Sequence, residues 1–140
     1  MDDATVFPTL NYDDAPAALD FLVRAFGGRR HAVYSGEDGT IHHAEVSFGN
    51  GIVMFGSSRA ELAATRGQGG GIYIVVADPD AHAERARAEG AEIVRAPFDT
   101  DYGSRDYGAR DPEGNTWHFG TYQPFDFDHA AEQAKRAVTS

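Results

Sequence analysis

Three side chains in this sequence are of the types that bind metal ions or transfer protons in enzymes. His43 and Glu45 are two residues apart in the stretch "IHHAEVSF", and His118 lies in the stretch "DPEGNTWHFG". Two histidines and one carboxylate form the ligand set of non-haem iron sites and resemble some zinc sites. A carboxylate that is shielded from water can also act as a general base near neutral pH. The two resulting hypotheses are a metal centre and an acid/base centre in which Glu45 is catalytic.

The strands that carry these residues decide where their side chains point. Side chains alternate between the two faces of a strand, and the apolar set packs under a covering helix. In "TWHFG" the apolar set is Trp117 and Phe119, which predicts that His118 faces away from the helix and into a cavity. The same argument applies to "IHHAEVSF" and "GIVMFGS". The residues predicted to face the cavity from these three strands are Ile41, His43, Glu45, Ser47, Ile52, Met54, Thr116 and His118.

Two segments of the chain repeat one pattern of elements. "VFPTLNYDDAPAALDFLVRAFGG" and "GGIYIVVADPDAHAERARAEGAE" each read as a strand, an Asp-containing turn and a helix that stops at glycine. Asp14 and Asp78 stand at N-cap positions and are 64 positions apart, as are Met54 and His118. "FGS" and "FGT" follow Met54 and His118 at the same offset. The shared offset predicts a duplicated βαβββ unit.

The repeat divides one domain, residues 1–140, into two modules. Module 1 is predicted at about residues 5–57 and module 2 at about 71–123, joined by a linker at 58–70. A C-terminal helix is predicted at about 127–138.

The stretches "YDDAPAALDFLVRAFGG" and "DPEGNTWHFGTY", together with the repeat, resemble the vicinal oxygen chelate superfamily. This superfamily includes glyoxalase I, extradiol dioxygenases and bleomycin-resistance proteins. The chain is most similar to its PhnB-like and bleomycin-resistance-like branches, over about residues 5–123. The resemblance implies an α+β fold of two tandem βαβββ modules, whose curled mixed sheets surround a cavity, commonly in a homodimer. The modules could pair within one chain or exchange between two chains.

The repeat extends the predicted cavity into module 2. At the 64-residue offset, the counterparts of His43 and Glu45 are Tyr107 and Ala109, with Arg105 alongside. The first strands of the modules add Phe7, Thr9, Asn11, Gly71, Tyr73 and Val75. The ligand-binding residues predicted on this basis are Phe7, His43, Glu45, Met54, Tyr73, Arg105, Tyr107 and His118. An aromatic cavity with a few polar groups is typical of a small-molecule site.

The resemblance also identifies the positions of metal ligands in metal-dependent relatives. In this chain they are Phe7, Met54, Gly71 and His118, and only His118 has a side chain suited to zinc, nickel or iron(II). Because a catalytic metal needs about three protein ligands, the sequence predicts no metal cofactor at this position.

A metal-free small-molecule-binding protein that sequesters a cationic or aromatic ligand is therefore the favoured function. The alternative is a lyase, isomerase or dioxygenase, with a divalent metal relocated to His43, Glu45 and His118 or with Glu45 as a base. The competing interpretation is that these residues only form the wall of the cavity, where Glu45 accepts hydrogen bonds from His43 or Arg105. An interaction module without a ligand would follow if aromatic side chains fill the cavity.

Composition argues against several other classes of protein. There are 22 acidic residues against 12 Lys and Arg, a net charge of −10, whereas nucleic-acid binding needs clustered positive charge. There is no cysteine, which excludes disulfides and Cys-ligated zinc. No stretch resembles a transmembrane helix or a signal peptide, so a cytoplasmic protein without a membrane partner is predicted. His31, His42, His82 and His129 are predicted on the surface without partners.

Overall fold

The computed structural model describes residues 4–57 and 70–125. In chain order the elements are β1 (Thr9–Tyr12), α1 (Ala15–Arg24), β2 (Arg29–Ser35), β3 (Ile41–Phe48), β4 (Gly51–Ser57), β5 (Ile72–Val75), α2 (Pro79–Ala88), β6 (Glu92–Asp99), β7 (Arg105–Arg110) and β8 (Thr116–Gly120). This order confirms the α+β fold of two tandem βαβββ modules. The predicted C-terminal helix at about 127–138, and the linker except for its last residue, lie outside the described residues.

The two helices begin with the same local signals. The side chain of Asp14 accepts a hydrogen bond from the backbone amide of Ala17, and Asp78 accepts one from Ala81, each at 3.1 Å. Each helix also has a proline in its first turn, where no backbone hydrogen bond is lost. Both predicted N-caps are therefore present.

Each module forms one four-stranded mixed sheet. The strand orders are β1-β4-β3-β2 and β5-β8-β7-β6, with β1 parallel to β4, β5 parallel to β8 and the other pairs antiparallel. The first strand of each module therefore lies at one edge of its sheet and the second strand at the other. We call β1 and β5 the inner edge strands, and β2 and β6 the outer edge strands.

The two modules share a single hydrophobic core. Phe26, which follows α1, contacts Trp117 and Phe119 of module 2 with ring centroids 5.2 and 4.9 Å apart. Phe48 on β3 contacts Trp117 as well, at 5.8 Å. We call the sheet face that lines this core the inner face, and the opposite one the outer face. Because both inner faces line one core, the outer faces point away from each other, and the described residues of one chain do not enclose the predicted cavity between them.

The turn between β7 and β8 ties the modules together through Asp111, which is only 4% exposed. Its Oδ2 atom accepts hydrogen bonds from the Tyr12 hydroxyl at 2.6 Å and from Trp117 Nε1 at 3.0 Å. Its Oδ1 atom accepts from the backbone amides of Glu113 and Asn115 at 3.1 and 3.0 Å. Burial and the neighbouring Asp111 carboxylate raise the pKa of Tyr12, so its hydroxyl remains a donor.

A second acidic side chain of this turn, that of Glu113, reaches the start of α1. The Glu113 carboxylate accepts hydrogen bonds from the backbone amides of Asp13 and Asp14 at 2.5 and 2.9 Å. These amides have no acceptor within their own helix, so Glu113 of module 2 completes the N-terminus of a helix in module 1. In the described part of the chain no helix is long and apolar enough to cross a membrane.

Candidate functional site

On the outer face of module 1, Glu45 stands between two histidines. Its Oε2 atom lies 2.8 Å from His43 Nε2, and its Oε1 atom lies 3.7 Å from His31 Nε2. Glu45 pairs across the sheet with Met54, and Met54 pairs with Thr9, so these side chains share one face. The predicted contact between His43 and Glu45 is therefore present, and it satisfies the carboxylate within its own sheet.

On the outer face of module 2, His118 is exposed between two neighbouring strands. It pairs with Gly108 on β7 and with Tyr73 on β5. The Tyr73 hydroxyl donates to Asp106 Oδ1 at 2.9 Å and accepts from the backbone amide of Tyr122 at 3.0 Å. Burial and the hydrogen bond to Asp106 both raise the pKa of Tyr73. Tyr73 is thus held in one orientation beside a histidine that faces solvent.

Two glycines, Gly71 and Gly108, lie beside His118, and a third, Gly120, lies beside Tyr73 and Asp106. A Cβ atom at Gly71 would lie 3.0 Å from His118 Cδ2 and Nε2, and one at Gly108 would lie 3.5 Å from His118 Nδ1. A Cβ atom at Gly120 would lie 2.4 Å from the Tyr73 hydroxyl. His118 and Tyr73 therefore lean over glycines of neighbouring strands. We call this part of the outer face, formed by Gly71, Gly108, Gly120, Tyr73 and His118, the glycine patch.

Two predicted site residues do not share the face of His118. Tyr107 is 1% exposed and packs on Phe119 in the core, with ring centroids 5.1 Å apart. Arg105 forms ion pairs on the inner face with Asp80 at 2.7 Å and Asp99 at 3.0 Å. The prediction that Arg105 and Tyr107 line the cavity is wrong. Of the two partners predicted for Glu45, His43 or Arg105, the structure pairs it with His43.

The error comes from a difference of one residue between the two modules. Tyr107 pairs with Phe119 as Ala44 pairs with Phe55. The offset between β3 and β7 is therefore one residue shorter than the offset between β4 and β8. Because side chains alternate, a shift of one residue exchanges the two faces of a strand. The structural counterparts of His43 and Glu45 are therefore Asp106 and Gly108.

Two further predicted residues lie at the ends of strands. Phe7 precedes β1 and is 39% exposed. Ile41 begins β3 and is buried in the core, because the register between β2 and β3 shifts at Tyr34 and Ser35. The prediction that Ile41 faces the cavity is therefore wrong.

His82 was predicted on the surface, but it connects the modules. Its Nε2 atom lies 2.9 Å from the backbone carbonyl of Phe26, and its Nδ1 atom lies 2.5 Å from the Tyr107 hydroxyl. A carbonyl can only accept, so Nε2 carries the proton and the hydroxyl donates to Nδ1. Helical spacing could have found this residue, because His82 lies three positions after Pro79 and four before Ala86, both buried.

The position of His82 predicts that the protein loses stability in mild acid. Burial and the nearby Arg85 lower the pKa of His82 below its ordinary value of 6.5. The unfolded chain therefore takes up the proton first, and the free energy of unfolding falls as the pH drops below about 6.5. We expect the melting temperature to fall less between pH 7.5 and 5.5 in His82→Gln than in the unchanged protein. The exposed His42→Gln serves as the control, and an unchanged slope in His82→Gln would contradict the assignment.

A groove of about 590 Å³ runs between the modules, beside β5 and the residues that precede β1. Its walls are mostly apolar. They are formed by Val6, Pro8, Phe26, Phe48, Ile52, Val53, Ile72, Tyr73, Ile74, Val75, Val76, His82, Arg85 and Gln123, with the backbone of 49–51. Tyr73 belongs both to this groove and to the border of the glycine patch, so the two features are continuous. The volume is within the range of small-molecule sites.

The described residues do not form a metal site. No three His, Asp or Glu side chains among residues 4–57 and 70–125 converge on a point where they could bind an ion. At the ligand positions implied by the resemblance, Phe7 and Gly71 offer no donor atom and Met54 offers only a thioether. Neither ring nitrogen of His118 has a hydrogen-bond partner among the described residues. The residues present therefore do not fit the metal that this type of fold can hold.

Comparison with known proteins gives one family match over most of the chain. The family model of the Glyoxalase/Bleomycin resistance protein/Dioxygenase superfamily matches residues 5–119. An uncharacterised protein of Mycobacterium tuberculosis is 32% identical over 121 residues, which cover 81% of this chain and 71% of that protein.

Two solved structures share the fold. TioX from Micromonospora sp. ML1 is 34% identical, with a TM-score of 0.69 and coverage of 86% of this chain and 97% of TioX. TnmS3 from Streptomyces sp. CB03234, described as an antibiotic binding protein, is 20% identical, with a TM-score of 0.67 and coverage of 88% of this chain and 99% of TnmS3. The second likeness shows the fold alone.

Proposed function

The chain belongs to the glyoxalase/bleomycin resistance protein/dioxygenase superfamily, and from that premise we propose that it binds a small aromatic molecule without a metal ion. The observation that carries the proposal is the glycine patch. There an exposed histidine stands beside a tyrosine that two hydrogen bonds hold in one orientation, so a flat ligand can stack against both rings.

The proposal includes a second copy of the chain, because no described strand pairs with the free edges of β1 and β5. The outer edge strands carry charged residues such as Arg29 on β2 and Glu92 on β6, and both have register shifts. Charges and bulges of this kind prevent an edge from pairing with another strand. The inner edge strand β5 instead consists of four apolar or aromatic residues, Ile72–Val75, and Val75 is 46% exposed.

A homodimer that joins β1 of one copy to β5 of the other would unite two outer faces. The outer face of module 1, with Glu45 and Met54, would then lie beside the glycine patch of the second copy. The described residues of one chain do not form such a cleft, because both inner faces line one core and the outer faces lie on its far sides. Each dimer would contain two equivalent sites.

Val75→Lys is expected to abolish both the dimer and ligand binding. A lysine on the open edge of β5 would place a charge at the joint between copies and prevent strand pairing. We expect sedimentation equilibrium to show a dimer for the unchanged protein and a monomer for Val75→Lys. The affinity for the neutral aromatic fluorophore N-phenyl-1-naphthylamine should fall about tenfold or more, because the ligand loses the apolar surface that the second copy would bury against it.

Ala88→Lys, on the exposed surface of α2, adds the same charge and should change neither result. A Val75→Lys monomer that still binds the fluorophore with unchanged affinity would contradict the two-copy site. Absence of binding to the unchanged dimer would contradict the proposed function itself.

The alternative enzyme reading uses His43 and Glu45 of one copy with His118 of the other to hold a divalent metal. The contact of 2.8 Å between His43 and Glu45 is the observation in its favour. The fluorophore titration separates the two readings when it is repeated in EDTA and with equimolar zinc, nickel or iron(II). Metal-independent binding supports the proposal, whereas stoichiometric metal uptake that His118→Ala removes would support the enzyme.

A further inference from the structure

We propose that this chain binds a phosphate group in a pocket at the start of β2. The pocket has a volume of about 370 Å³, which leaves room for a small organic group beside the phosphate. We call it the β2 pocket, and its lining residues are Gly27, Arg29, Arg30, His31, Ser47 and Gly49. The inference goes beyond the proposed function, because this pocket needs neither the glycine patch nor a second copy of the chain.

Two arginines and a histidine that follow one another in the chain line the β2 pocket: Arg29, Arg30 and His31. In a regular strand, consecutive side chains point to opposite faces. Here the register between β2 and β3 shifts between Arg30 and Ala32, so His31 is an extra residue and the strand bends. The bend accounts for three consecutive residues at one pocket.

The guanidinium groups of Arg29 and Arg30 have no anionic partner within the described part of the chain. Both side chains are exposed, and neither forms an ion pair or a side-chain hydrogen bond with another described residue. A guanidinium with free N–H groups binds two phosphate oxygens at once through parallel hydrogen bonds. Both arginines can therefore bind an anion in the pocket without giving up an existing contact.

A third guanidinium, that of Arg85, lies at the border of the β2 pocket. Its Nε atom donates to the carbonyl oxygen of Arg24 at 2.9 Å, and its Nη2 atom donates to that of Val23 at 3.3 Å. These two bonds hold the side chain at the end of α1. The Nη1 atom lies only 3.3 Å from where a Cβ atom at Gly27 would be, beside the backbone that lines the pocket.

None of the described residues that line the β2 pocket is acidic, although the chain has 22 acidic residues against 12 Lys and Arg. Glu45, whose Oε1 atom lies 3.7 Å from His31, also contacts His43 at 2.8 Å. Positive charge is therefore in local excess within a chain of net charge −10. Such a pocket favours an anion, and several arginines around one point favour the two charges of a phosphate over the single charge of a carboxylate.

Calorimetric titration with inorganic phosphate and with glycerol 3-phosphate tests this inference, at pH 7.5 and a constant ionic strength of about 0.15 M. Neither anion contains an aromatic ring, so neither reports on the proposed aromatic site. We expect both to bind once per chain, and neutral glycerol not to bind. Arg29→Gln and Arg30→Gln should each weaken phosphate binding about tenfold or more, the loss expected for hydrogen bonds to a charged group.

Arg95→Gln is the matched control for the loss of charge. Arg95 is an exposed arginine on β6, the corresponding strand of module 2, and its replacement should leave phosphate binding unchanged. Equal losses in Arg29→Gln and Arg95→Gln would overturn the inference, because they would show attraction by overall charge alone. Absence of phosphate binding to the unchanged protein would overturn it as well. Either result leaves the proposed function intact, since fluorophore binding measures that function separately.

Discussion

Asp111→Ala is expected to lower the free energy of unfolding by about 3–5 kcal/mol, the range for removing one partner from a buried charged network. The carboxylate is 4% exposed and accepts four hydrogen bonds. Two of its donors, the Tyr12 hydroxyl and Trp117 Nε1, come from different modules. Truncation would leave all four donors without an acceptor and would leave a cavity between the modules.

Urea unfolding followed by circular dichroism measures this loss, and Tyr12→Phe is the matched control. That change removes only one donor of the network and keeps the ring, so it should cost about 1 kcal/mol. If Asp111→Ala costs no more than Tyr12→Phe, the turn does not join the modules as described.

Phe26→Ala is expected to destabilise the protein by about 3–5 kcal/mol, as other buried Phe truncations do. The ring is 1% exposed and contacts aromatic rings on both sides of the junction between modules. Its neighbours are Phe21 at 5.1 Å, Trp117 at 5.2 Å and Phe119 at 4.9 Å. The truncation opens a cavity at the contact between modules, where neither sheet can move in without distorting the other.

Phe125→Ala makes the same chemical change at a side chain that is 82% exposed, and it should alter stability by less than about 0.5 kcal/mol. Thermal unfolding should remain a single transition in Phe26→Ala, because one core serves both modules. Two separate transitions in the unchanged protein would show that the modules fold independently and would contradict the shared core.

The elements of this fold could be predicted because each depends on nearby residues. Alternation on β8 correctly assigned Trp117 to the core and His118 to the outer face, and Asp14 and Asp78 are N-caps as expected. Each of these predictions needed only a few neighbouring residues, whose preferences agree with the final structure.

Relations between distant segments were harder to predict. The face of Tyr107 depended on the exact spacing of two strands in different modules, and a single residue of difference reversed it. His82 contacts Phe26, 56 positions away in the chain, and Tyr107, 25 positions away, so no local pattern revealed these partners.

The contacts of Asp111 also determine when the chain can become stable during its synthesis. Tyr12 and Asp111 are 99 positions apart, so translation at about 5–20 residues per second separates them by roughly 5–20 s. During that time module 1 emerges from the ribosome before the residues of module 2 that cover Phe26 and complete the N-terminus of α1 have been synthesised. The nascent chain therefore exposes an aromatic surface, and binding of general chaperones to module 1 alone should cease once module 2 is made.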